Sequence, residues 1–183
     1  FMDFPNVFQR KSQRKKPFPH GLLKNATRVT DVVLNKDIML HFPYHSFHAI
    51  IDLLREAAID PDVTVIKITA YRLAENSKVI NALINAVRNG KQVTVMLELR
   101  ARFDEEANLE WKERLEEEGV RVLISMPNLK THAKLCLIQK KMNNRTIHYG
   151  FVSTGNLNEN PATVYGDHCL LTADRYVMGD VNR

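Results

Sequence analysis

Cysteine is scarce: Cys136 and Cys169 are the only two, and neither stands in a CxxC or Cys/His spacing. That excludes the usual zinc patterns and leaves reduced thiols buried in apolar, strand-like runs, as in a cytosolic protein. Hydrophobic runs of bilayer-spanning length are missing too, so the chain does not read as an integral membrane protein. Low-complexity tracts and repeat arrays are also lacking. The chain does not begin with Met and has no charged, apolar and small-residue order at its start, which reads as a piece of something longer. Acids are absent from Arg10 to Lys16, where Arg10, Lys11, Arg14, Lys15 and Lys16 cluster. Much of the formal charge of +5 therefore sits in one tail. Such a tail is a solvated linker or a docking site for nucleic acid or anionic lipid, and the remainder is nearly balanced.

What is present suits one soluble domain: 183 residues, 44% hydrophobic and 26% charged, are enough for one well-buried core and too few for two. Residues 1–36, with Pro5, Pro17, Pro19 and Gly21, read as a basic linker and lead-in. Residues 37–183 carry the periodic pattern. Ile38 to Phe42 is a short strand stopped by Pro43, and Ser46 is placed to cap a helix to Ala58 with Phe47, Ile50, Ile51, Leu54 and Ala58 on one stripe. Val63 to Tyr71 is an interior strand. Ser77 to Asn89 is helical and closed by Gly90, and Gln92 to Leu99 is a second strand. Asp104 is expected to cap Glu105 to Glu118, whose Leu109, Trp111 and Leu115 can face the sheet while the acids face water, and Val120 to Ser125 is a third strand.

This rhythm predicts right-handed crossovers on a mostly parallel mixed sheet flanked by helices, an α/β fold. After Pro127 the rhythm changes. Lys134 to Lys140, Ile147 to Ser153 and His168 to Thr172 are strand-like without room for helices between, and Asn143 and Asn144 mark a hairpin turn.

Ligands of open α/β sheets gather beyond the carboxyl ends of the strands. There the chain is basic: Arg72, Arg102 and His132 recur at thirty-residue intervals, one after each interior strand. His132 and Lys134 are two apart at the mouth of an apolar run, so a strand would send both to one side. An imidazole that is neutral near pH 7 beside a fixed cation suits attack on an anion, and phosphate is the natural candidate. Guanidinium groups at Arg72 and Arg102 would fork onto phosphate oxygens. Each has a plainer role open to it: Arg102 has Asp104, Glu105 and Glu106 to pair with, a lone histidine is often structural, and Ser153 to Asn158 is first of all a turn.

Six stretches carry a resemblance: DIMLHFPYHSF (Asp37 to Phe47), VIKITAYR (Val65 to Arg72), NGKQVTV (Asn89 to Val95), ELRARFDEEAN (Glu98 to Asn108), LKTHAKL (Leu129 to Leu135) and STGNLNEN (Ser153 to Asn160). Together, from about Asp37 to Asp174, they resemble bacterial polyphosphate kinase of the first family. The resemblance implies the first C-terminal catalytic domain, one of two phospholipase D-like halves. It implies that His132 is phosphorylated during reversible transfer of the terminal phosphate of ATP to polyphosphate. It places Arg72 and Arg102 at the magnesium and phosphate site, where they read as phosphate clamps and not as direct ligands of Mg²⁺. Tyr165 falls where the family has a tyrosine contacting ATP. Lys134 and Asn156 match the HxK and GSxN signatures, with Thr154 in place of the Ser.

Gln139 stands where phospholipases carry the Asp of the first signature, an Asp that similar kinases also lack, and Pro161 and Gly166 depart from the family pattern beside Tyr165. Implied with this are Mg²⁺ and ATP/ADP as cofactor and nucleotide, the remaining domains of the same enzyme as partners, a homo-oligomer at full length and no specific nucleic acid. The setting is cytoplasmic, with peripheral contact to the inner membrane left open, and this segment is expected to be inactive alone. Two alternatives stay open: a phospholipase D-like phosphodiesterase or nuclease half-domain, and a non-enzymatic polyanion-binding module.

Overall fold

A computed structural model describes residues 16–71, 77–99, 105–125, 130–159 and 161–183. Within it the apolar runs become seven strands of one sheet: β1 (Ile38–Phe42), β2 (Val63–Ala70), β3 (Gln92–Leu97), β4 (Arg121–Ile124), β5 (Lys134–Met142), β6 (Arg145–Ser153) and β7 (Asp167–Thr172). Five helices accompany them: α1 (Val29–Val33), α2 (His48–Ile59), α3 (Lys78–Arg88), α4 (Glu105–Glu117) and α5 (Arg175–Asn182). The strand order is β1-β7-β6-β5-β2-β3-β4.

The sheet is mixed, as expected, but its parallel share is smaller than the opening rhythm implied. Only β2 with β3 and β3 with β4 run parallel; β1 with β7, β7 with β6, β6 with β5 and β5 with β2 are antiparallel. The reason is connection length. A parallel return needs a crossover of a dozen residues or more. Such crossovers exist around α3 and α4, whereas β5 and β6 are joined through Asn143 and Asn144, both at positive φ (50° and 57°), a turn that can only return antiparallel.

One face of the sheet is the core. Ile38, Leu40, Phe42, Ile66, Ile68, Val93, Val95, Cys136, Ile138, Tyr149, Phe151, Cys169 and Leu171 are buried there with the apolar stripes of α2 and α3. The two cysteines are free and buried, and burial pushes the Cys169 thiol up to about 12 and the Cys136 thiol higher still. Ser77 caps α3, its Oγ accepting from the Ile80 N–H at 3.3 Å, and Gly90 closes the helix at φ 79° as expected.

Three local expectations change. The N-cap of α2 is Phe47, with Ser46 one residue earlier accepting from the His48 N–H at 3.2 Å. The ring of Phe47 is needed in the core, so burial selects it over the hydroxyl. On α4, Trp111 and Leu115 face inward but Leu109 is 49% exposed. The inward stripe is Asn108, Trp111 and Leu115, at i, i+3 and i+7. Lastly, residues 29–33 of the lead-in are helical and give Val29 and Val33 to the core. The Glu56 carboxylate of α2 caps α1 from a distance in sequence, accepting from the Val29 and Thr30 N–H groups at 2.7 and 2.8 Å.

Candidate active site

The mixed topology brings seven strand ends to one rim. Because β5 and β7 run against their neighbours, their amino ends lie beside the carboxyl ends of β1, β2 and β6, as the pairs Phe42 with Asp167, Ile68 with Cys136 and Lys134 with Ser153 show. The carboxyl ends of β3 and β4 continue the same rim.

At its centre are His132 and Lys134. The strand begins at Lys134, so His132 sits in the loop before it, and their convergence comes from loop geometry and not from strand alternation. Lys134 Nζ lies 3.1 Å from His132 Nδ1 and donates to the His132 carbonyl oxygen at 2.6 Å. Lys134 is buried and His132 exposed. Tyr71 forms the inner wall: its ring meets the imidazole edge-on at 5.3 Å, and the Lys134 and Lys130 ammonium groups lie 5.1 and 5.5 Å from its centroid. With Lys134 donating to Nδ1, a neutral ring carries its proton on Nε2. Attack through Nδ1 needs that lone pair vacated, and attack through Nε2 needs the proton moved onto Nδ1. Either way Lys134 must first turn its donors elsewhere, and an incoming phosphate offers acceptors.

Across from this pair, residues after β6 and before β7 complete a cavity of about 360 Å³ lined by His132, Lys134, Thr154, Gly155, Asn156, Tyr165 and Asp167, among others. Thr154 Oγ1 donates to Asp167 Oδ1 at 2.7 Å and accepts from the His168 N–H at 3.0 Å. A Cβ on Gly155 would stand 2.6 Å from Asp167 Cγ, so only glycine lets the carboxylate lie this close to the loop. Asn156 Oδ1 is buried without a hydrogen-bond partner, and Tyr165 stands at the mouth, 65% exposed. A larger hollow of about 490 Å³, at the other end of β5 and β6, is lined by Arg145, His148 and Arg175 over an apolar floor. Its His148 ring already meets Gln139 Oε1 at 3.4 Å. Chemistry, not volume, selects the His132 cavity.

Five of the residues singled out by sequence thus share one cleft: His132, Lys134, Thr154, Asn156 and Tyr165. Arg72 and Arg102 lie outside the described residues, as does Asp104. Among the described residues no three His, Cys, Asp or Glu side chains gather as a metal site. The cleft offers instead one carboxylate, Asp167, and the orphaned Asn156 oxygen. That sparse oxygen set fits Mg²⁺, which keeps waters and phosphate oxygens in its shell, better than it fits an all-protein cage.

Sequence reasoning overlooked the groups behind the cleft. Glu98, 1% exposed, accepts from the Thr131 N–H at 2.8 Å and the Ser125 hydroxyl at 2.9 Å. Thr69 Oγ1 donates to the Ala133 carbonyl at 2.6 Å and accepts from the Leu135 N–H at 2.9 Å. Asn108 Nδ2 donates to the Tyr71 and Glu98 carbonyls at 3.1 and 2.9 Å. A signal did exist for Asn108, a polar residue at a stripe position of an amphipathic helix. For Asp167 there was none: it falls two residues after Tyr165, a gap that carries no periodic information.

Comparison with known proteins adds a lineage to this geometry. Residues 28–183 match the family model described as polyphosphate kinase C-terminal domain 1. The chain is similar to the polyphosphate kinase of Escherichia coli (strain K12), 45% identical over 188 residues, covering 100% of this chain but 27% of that protein. It superimposes on the crystal structure of polyphosphate kinase from Porphyromonas gingivalis with a TM-score of 0.84 and 40% identity, covering 100% of this chain and 30% of the other. The phospholipase D family member Nuc from Salmonella typhimurium shares the fold, with a TM-score of 0.60 at 14% identity over 79% of this chain and 88% of Nuc.

Proposed function

Since the chain belongs to the polyphosphate kinase C-terminal domain 1 family, we propose that it supplies the nucleophile for reversible transfer of the terminal phosphoryl group of ATP to polyphosphate. The observation that carries this reading is the exposed His132 imidazole 3.1 Å from a buried ammonium at the wall of an open cavity. Lys134 turns its donors to the entering γ-phosphate and frees the ring. One ring nitrogen then bonds to phosphorus as the bond to the bridging oxygen breaks, and ADP leaves with that electron pair. The terminal oxygen of a polyphosphate chain takes the phosphoryl group in the second half-reaction, breaking the P–N bond and restoring the imidazole.

In this proposal Lys134 and the Asn156 amide hold phosphate oxygens, and Thr154 joins them once its hydroxyl turns from Asp167. Tyr165 at the mouth meets the nucleotide, and Arg72 and Arg102 clamp phosphate from beyond the described residues. Asp167 and Asn156 Oδ1 would hold Mg²⁺, which supplies charge neutralisation on the phosphates. The other domains of the enzyme complete the site, so this segment alone is inactive, and the full-length protein is a cytoplasmic homo-oligomer. No helix among the described residues is long and apolar enough to cross a membrane.

The test is labelling. With γ-labelled ATP the full-length enzyme should acquire acid-labile, base-stable label that disappears in His132→Ala. Label undiminished in that variant refutes the nucleophile. Label that is absent from the wild type, with turnover of a phosphodiester instead, would move the chain to the phosphodiesterase class.

A further inference from the structure

His132 stands in a loop, yet in-line attack demands a side chain held to a fraction of an ångström. Something must take the place of a strand ladder. The downstream side of the loop is held by Thr69, whose hydroxyl bonds both the Ala133 carbonyl and the Leu135 N–H and so extends the β2–β5 pairing past its last register pair, Ile68 with Cys136. Downstream anchoring alone leaves a hinge at residue 132.

The upstream side is held at Thr131, whose Oγ1 meets Met96 Sδ at 3.6 Å and whose N–H meets a carboxylate. Glu98 Oε2 accepts from the Thr131 N–H at 2.8 Å, one residue before the imidazole, and from the Ser125 hydroxyl at the end of β4 at 2.9 Å. The carboxylate is 1% exposed, beside a cleft rich in cations. Its own position is set twice over. The Glu98 N–H donates to the Ala70 carbonyl at 3.1 Å, and Asn108 Nδ2 ties the Glu98 carbonyl to that of Tyr71, whose ring touches His132.

Resting on the phosphotransfer reading of His132, we infer that Glu98 is a positioning residue for the nucleophile. Its reach, not its charge, sets the upstream end of the loop and thereby the angle of the imidazole, and Asn108 locks Glu98 and the Tyr71 wall in one register.

Two substitutions in the full-length enzyme separate reach from charge. Glu98→Gln keeps an acceptor at the same distance and loses the charge; Glu98→Asp keeps the charge and withdraws the acceptor by one methylene. The rate of single-turnover labelling of His132 should fall roughly 10- to 100-fold in Glu98→Asp and only about threefold in Glu98→Gln, with nucleotide Kd little moved in either. Glu98→Asp at the wild-type rate, or Glu98→Gln slower than Glu98→Asp, overturns the inference, as does a loss that follows nucleotide Kd.

A second readout needs no ATP. Carbethoxylation of His132 by diethyl pyrocarbonate, measured by mass spectrometry against exposed His168 in the same molecule, should change in Glu98→Asp and stay near wild type in Glu98→Gln. If the wild type takes no label from ATP, the phosphotransfer reading fails. The carbethoxylation ratio still decides Glu98: a shift confined to Glu98→Asp supports the inference, and equal ratios in all three proteins overturn it.

Discussion

Two charged clusters sit at opposite ends of β2 and β5, and they use similar residues to opposite ends. At the far end Asp60 is central: its Oδ2 takes Lys140 Nζ at 2.6 Å and Arg28 Nη2 at 3.0 Å, its Oδ1 takes the Asp62 N–H, and its carbonyl takes Lys91 Nζ at 2.5 Å. Its side chain is 3% exposed. Burial alone would raise this carboxyl, but the bonds from Lys140, the Asp62 N–H and Arg28 outweigh it and hold it below its ordinary value. Around His132 the centre is instead a cavity, and cation and imidazole face into it. A closed cluster that consumes its own charge stabilises a fold. An open one is arranged toward a ligand, and stability does not account for its form.

Breaking each cluster should therefore have different consequences. The largest is complete loss of phosphohistidine in His132→Ala. Next, Asp60→Ala leaves Lys140 and Arg28 around an empty partner and should cost about 3 kcal/mol or more, read as a lowered thermal midpoint of the enzyme. The pH dependence has a definite sign. The Asp60 contribution is fully present above the ordinary carboxyl value of about 4 and is lost as pH falls through the depressed folded value. Asp60→Asn should accordingly flatten the acid limb of a stability profile, and an unaltered limb would contradict the closed-cluster account.

The reverse behaviour is expected of Lys134→Met, which should slow labelling roughly 100-fold with the thermal midpoint unchanged or raised, because a buried ammonium is costly to desolvate. A midpoint lowered as far as that of Asp60→Ala would erase the contrast between the clusters. Gly155→Ala crowds Asp167 and should slow labelling by about tenfold with little change in nucleotide affinity. The smallest effect is that of Ser77→Ala, which removes the cap of α3 at about 1 kcal/mol and is measured by thermal unfolding with labelling intact.

The open cluster was the more legible of the two. His132, Lys134, Thr154 and Asn156 stand in motifs whose spacing is visible along the chain, Tyr165 was implied by the family resemblance alone, and the structure gathers all five. Nothing along the chain marks Asp60 as a hub, because its partners Arg28 and Lys140 lie 32 and 80 residues away. The same limit applies behind the site. Glu98 and Asn108 were visible within one motif, and the stripe position of Asn108 marked it as inward-facing, but nothing along the chain shows that it joins the ends of β2 and β3.

Local periodicity by itself determined that β1 to β3 and α2 to α4 exist and where α3 begins and ends, because propensity, caps and apolar spacing act within a few residues. Tertiary structure alone decided that β1 pairs with β7 and β5 with β2, the capping of α1 by Glu56 and the Glu98 anchor beneath the His132 loop. Each depends on a polar group meeting a partner 26 or more residues away, and such meetings follow from how apolar faces pack, which no short window of sequence contains.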